Sequence, residues 1–100
     1  MPATDDAGCI EREMGLDHAD FWRLLPRAVG DLKWRAEGNR AVIDVGTGRV
    51  EIDLGREGAR RIALMVIPLT PVTIRWQGVG KSTFDAFLDQ FDRHYQRGGG

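Results

Sequence analysis

Gly78-Val79-Gly80-Lys81-Ser82-Thr83 is the stretch of this 100-residue chain whose residue types could do chemistry. Glycines let backbone N–H groups close around a phosphate, a lysine reaches its oxygens, and a serine hydroxyl can ligate magnesium. An alternating apolar segment, Val72 to Trp76, precedes the loop and a helical pattern follows it, which is the order such a site needs. Other candidates are sparser. His18 and His94 are the only histidines; even with Asp17 or Asp20 nearby, two histidines without a cysteine partner fall short of a metal-ligand set. As a general acid or base, either would need an activating partner that the chain does not identify. Cys9 stands alone, which excludes an intramolecular disulfide and a cysteine-based zinc site, and no histidine lies near it in sequence to activate its thiol.

The glycine loop resembles the end of the deviant Walker A motif of ParA/NifH-type ATPases. That resemblance implies ATP and magnesium held by Gly78, Gly80, Lys81 and Ser82. The rest of the pattern departs from it. Arg75 stands where the motif needs a small residue, and Trp76-Gln77 stands where the signature lysine belongs. The fold of those ATPases also needs a later acid-bearing strand, whereas seventeen residues follow Thr83, enough for one helix. The loop is therefore read as a turn, with Ser82 capping a helix and Asp85 completing a capping box. No cofactor, metal or catalytic residue is expected. Gly98-Gly99-Gly100 resembles the tail of ubiquitin-like sulfur carriers, but there the tail leaves a strand and here it leaves a helix, so it reads as a loose end.

The elements that would position these residues follow from periodicity. Residues 1–16 are acidic and aperiodic and are expected to form a disordered leader. A single domain over residues 17–97 and a flexible glycine tail over 98–100 complete the division. Asp17 is a plausible N-cap for a first helix carrying Phe21, Leu24, Leu25 and Ala28 on one side, which Pro26 should kink and Gly30 should end. Gly38-Asn39 is a two-residue hairpin turn that sets Trp34 against Ile43, Ala36 against Ala41 and Glu37 against Arg40. A Thr47-Gly48 turn leads into a third strand with Val50, Ile52 and Leu54 inward, and sets Asp44 against Glu51. Gly55 to Gly58 is a further turn. Arg61 to Ile67 lacks alternation and reads as a fourth strand covered on both faces, joined through Pro68 to Pro71 to a fifth strand. Phe84, Phe87, Leu88, Phe91 and Tyr95 repeat at helical spacing and predict a long, core-facing final helix. The expected fold is α+β: a two-layer sandwich with a meander of about five antiparallel strands and both helices on one face.

Composition bounds the function. Twelve arginines, two lysines and fifteen acids leave a net charge of −1, so no general attraction to nucleic acid or anionic lipid follows. Residues 1–20 carry net −5 and the remainder +4. The longest apolar run is too short to cross a bilayer and holds two prolines, and no signal peptide is visible. A cytoplasmic protein is expected, and the arginine bias suggests a GC-rich, bacterial genome. Lys33, Arg35, Arg40, Arg49 and Arg75 could line a basic sheet face for RNA. Glu37, Asp44, Glu51 and Asp53 are interleaved with them, and the tryptophans point inward, so nucleic acid is not expected. The leading expectation is a non-enzymatic interaction module, a homodimer or partner-docking domain, using an apolar ridge of Ile62, Leu64 and Val66 with Val42. The alternative is an apolar ligand pocket lined by Trp34, Met65, Trp76 and Phe87.

Overall fold

The computed structural model describes residues 6–99, with side chains to Tyr95. In chain order the elements are β1 (Ala7–Met14), α1 (His18–Val29), β2 (Trp34–Glu37), β3 (Arg40–Val45), β4 (Gly48–Leu54), β5 (Gly58–Ile62), β6 (Met65–Gln77) and α2 (Lys81–Gly99). The fold is α+β: the sheet is antiparallel, in the order β1-β6-β4-β3-β2 with β5 paired to β6 alone, and the two helices share one of its faces.

The Gly38-Asn39 hairpin has its predicted register, Trp34 on Ile43, Ala36 on Ala41 and Glu37 on Arg40. The next turn is one residue earlier than expected. Gly46-Thr47 makes it, with Gly46 at φ +61°, and Val45 then pairs Gly48. Asp44 consequently faces Arg49 and not Glu51, so opposite charges meet where the expected register would set like charges together.

β1 corrects the disordered leader. Residues 7–14 pair with β6 along its whole upper half, from Ala7 on Gln77 to Met14 on Thr70; residues 1–5 lie outside the described ones. Ile10 and Met14 face the helices, and so does Arg12, whose Nη1 donates to Asp92 of α2 at 2.6 Å. An arginine at an inward position breaks the apolar alternation, which hides the strand from pattern reading. The indole of Trp76 fills the space over Gly8, where any Cβ would overlap the ring.

α1 begins as predicted, with the Asp17 carboxylate accepting from Asp20 N–H at 2.8 Å, and ends at Gly30 (φ +63°). Pro26 lies inside it without dividing it into two helices. The cap of α2 differs from expectation. Gly80 is the capping residue, its carbonyl accepting from Phe84 N–H at 2.9 Å, and Ser82 is an exposed residue of the first turn. The helix continues through Gly99, so Gly98 and Gly99 belong to it and not to a tail.

Phe21, Leu25, Ala28 and Val29 of α1 and Phe84, Phe87, Phe91 and Tyr95 of α2 pack on Ala41, Ile43, Val45, Val50, Ile52, Leu54, Val72 and Ile74 of the sheet. All eight aromatic residues join one contact chain: Trp76 stacks on Phe84 with centroids 3.8 Å apart, and Phe87, Phe91, Tyr95, Phe21, Trp22 and Trp34 follow in turn.

Candidate docking arm

Beyond the body, the chain builds a two-stranded arm. Six β4–β6 pairs run from Arg49–Gln77 to Leu54–Val72, and five β5–β6 pairs run from Gly58–Leu69 to Ile62–Met65. Between the two ladders, Gly55, Arg56 and Glu57 oppose Thr70 and Pro71 alone. That extra residue is a β-bulge. β4 and β5 are one strand with a bulge in it, and the Gly55 to Gly58 segment does not reverse the chain as expected. The long axis of the molecule is 52 Å against 26 and 24 Å across.

Both prolines expected to form a turn lie within β6. Pro68 is in the arm, where β6 has a neighbour on one side only, so its missing N–H can face away from the ladder. The Pro71 carbonyl accepts from Gly55 N–H at 2.7 Å. Its absent N–H would have pointed the same way, towards the bulge where regular pairing stops, and so removes no β1 bond. The real turn is Ala63-Leu64, flanked by the Ile62–Met65 pair. Ala63 takes φ +54°, the sense that a two-residue hairpin of the II′ kind requires at its first position.

These changes overturn the expected fourth strand, which was to run from Arg61 to Ile67 with both faces covered. The bulge shifts the register by one, which exchanges faces. Ile62 and Met65 share one face, Arg61 and Val66 the other, and Leu64 occupies the turn. The continuous ridge of Ile62, Leu64 and Val66 does not form, and Val42 has no part in it, being 2% exposed. Val42 lies on the face away from the helices, between Arg35 and Glu51 across the strands. The arm residues are open: Ile62 is 49% exposed, Leu64 101%, Met65 63% and Val66 59%. They are the exposed large apolar side chains among the described residues.

The base of the arm is tied to the body. Glu57 Oε2 accepts from the His18 backbone N–H at 2.8 Å, and the His18 ring Nε2 lies 2.7 Å from the Gly55 carbonyl oxygen. Thr70 Oγ1, fully buried, donates to the Leu16 carbonyl at 2.8 Å. Arg60 reaches Glu13 at 3.6 Å between exposed side chains.

The other candidate residues are dispersed. Trp34 stacks on Trp22, Trp76 on Phe84, and Met65 is out on the arm. Phe87 borders an open cleft of about 360 Å³ with Val29, Leu32 and Gln90, while Trp76 borders a different one of about 250 Å³ with Arg49 and Arg75. Around the glycine loop, the N–H groups of Gly78 and Val79 both donate to the Asp6 carbonyl, at 2.8 and 3.3 Å. Those are groups that a bound phosphate would need. Lys81 Nζ pairs with Asp85 at 2.9 Å, and Gly78 at φ +72° turns β6 towards α2. His94 Nδ1 lies 2.9 Å from the Gln90 carbonyl oxygen. Among the described residues no three His, Cys, Asp or Glu side chains come together as a metal set, and no helix is long and apolar enough to cross a membrane.

The sheet face opposite the helices carries paired charges. Arg40 Nε donates to Asp53 at 2.7 Å, Arg75 to the other Asp53 oxygen at 2.6 Å, and Arg49 Nε lies 3.2 Å from Glu51. The hydrogen bond that Arg40 donates to Asp53, and the charge of that carboxylate, raise the pKa of Arg40. The arginines considered for RNA are thus met by carboxylates, Arg40 and Arg75 by Asp53 of the neighbouring strand and Arg35 and Arg49 by Glu37 and Glu51 of their own strands.

No protein-family model, curated protein or solved structure matches the chain.

Proposed function

We propose that this chain is a non-enzymatic interaction module whose working element is the β5–β6 arm. One observation carries the reading: the exposed large apolar side chains among the described residues are gathered at the end of a projecting hairpin. Leu64, fully exposed, forgoes about 1.5–3 kcal/mol that burial would return, and the half-exposed Ile62, Met65 and Val66 each forgo roughly half as much. A fold with a filled aromatic core and a charge-paired outer face does not need these residues for its own packing. The turn itself supports the reading, because Ala63-Leu64 occupies a position where Asn-Gly or Gly-X would be less strained. The contact is made away from the body, and no catalytic group enters it.

The test replaces the apolar tip while keeping the arm. An Ile62→Thr/Leu64→Asn/Met65→Thr chain should keep its far-ultraviolet circular dichroism and unfold within a few degrees of the parent. On a phenyl matrix at moderate salt, the parent should be retained and the variant should pass through. Equal retention of the two proteins would remove the arm from the function.

A further inference from the structure

Resting on the docking reading above, we propose that the arm tip inserts into the interfacial layer of an anionic phospholipid surface. The argument is the distribution of residue types around the ribbon. Ile62 and Met65 project from one face, Val66 from the other, and Leu64 from the end. A protein groove needs one apolar face of a hairpin, whereas a lipid interface surrounds the tip and accepts apolar groups on every side.

Directly behind the apolar tip stand two arginines, one per face: Arg60 shares the Ile62–Met65 face and Arg61 the Val66 face. At about 3.3 Å per residue they follow Ile62 by roughly 3–7 Å, within the depth of about 5–10 Å to which interfacial segments bury their apolar side. Guanidinium groups at that level meet lipid phosphates, whose oxygens the planar guanidinium fork binds in a two-pronged manner. Residues 58–69 contain no acid. Glu57, next in the chain, accepts from the His18 backbone N–H, and Glu13 lies 3.6 Å from Arg60 with both of those side chains more than half exposed, so that contact can yield to a phosphate. The overall charge of −1 hides this local arrangement.

A second copy of the chain suits the arm less well. One face of a five-pair ribbon offers a footprint on the order of 150 Å², against about 800 Å² per partner in a standard interface. Seating the arm on the body of another copy would need an exposed apolar receptacle. Among the described residues the exposed large apolar side chains are those of the arm itself. A bilayer needs no receptacle.

The experiment uses the full chain and vesicles of phosphatidylcholine, with and without about one-third phosphatidylglycerol. The parent should co-sediment with the anionic vesicles and leave the neutral ones in the supernatant. Arg60→Gln/Arg61→Gln should weaken that binding on the order of thirty-fold, from about 1 kcal/mol per arginine near the surface. The triple tip variant should lose it. A Cys9→Ser/Leu64→Cys chain carrying an environment-sensitive dye should brighten and shift to the blue on the same vesicles, while a dye at Asp89→Cys should not change. If the vesicles fail to bind but the phenyl matrix still retains the parent, the lipid assignment falls and the docking arm stands. If both fail, both fall. Light scattering that reports a dimer in which the dye at position 64 is shielded would also overturn the lipid assignment, in favour of a second copy.

Discussion

Buried against both helices, the Tyr95 hydroxyl donates to the Phe21 carbonyl at 2.7 Å. Burial raises its pKa well above the usual phenol range. The unfolded chain has no such burden and loses the phenol proton near pH 10. Above that pH the unfolded state binds fewer protons than the folded one, so stability falls as pH rises; below it, both states keep the proton and the effect vanishes. Tyr95→Phe should therefore cost about 1 kcal/mol at neutral pH, from the lost hydrogen bond, and should flatten the decline in thermal midpoint between roughly pH 9 and 11. A decline as steep as the parent's would place the alkaline sensitivity elsewhere. The aromatic stripe containing this residue is legible in the spacing of Phe84, Phe87, Phe91 and Tyr95. Its hydrogen bond to Phe21 is not, because that contact joins residues seventy-four positions apart.

The arm is a case where element boundaries depend on backbone strain. Ala63 at φ +54° sits in the left-handed region, which costs a residue with a Cβ about 1–2 kcal/mol. Ala63→Gly should recover roughly 0.5–1 kcal/mol after its own entropy cost. The gain should appear as slower amide exchange in β5 and the start of β6, with little change in the global midpoint, since the arm can open without the body. Faster exchange in the glycine variant would mean that the turn is not strained. The same turn explains why the strand count was not legible. Arg61 to Ile67 contains no Gly, Asn or Pro to mark a reversal, while Pro68 and Pro71, which do look like a turn, occupy strand positions where no ladder bond is required. The Gly38-Asn39 hairpin was readable because its turn and its cross-strand pairs agree. At Gly46-Thr47-Gly48 either glycine could supply the positive φ. The charges could have decided it: Asp44 against Arg49 is the better pair.

At the scale of the molecule, the arm and the body are separable. Trypsin should cut first after Arg56, Arg60 or Arg61, which are exposed near or within the ribbon, and cutting there leaves β4 and the upper half of β6 in the sheet. The nicked protein should migrate as two bands on a denaturing gel and as one species in gel filtration; degradation of the body at the same rate would contradict this. Only the layout of the body could be read from sequence, because its hairpins and helices are locally encoded and the arm depends on one extra residue in a bulge. β6 has a further consequence. It is a single strand from the apolar tip to the glycine turn before α2, flanked by β1 on one side and by β4, then β5, on the other. A pull along the arm therefore loads the neighbouring ladders in shear, all their bonds at once. A sideways pull meets the bulge first and bends the arm there, against the contacts of His18 with Gly55 and Glu57. The molecule is built as a stiff rod in tension that hinges under a lateral load.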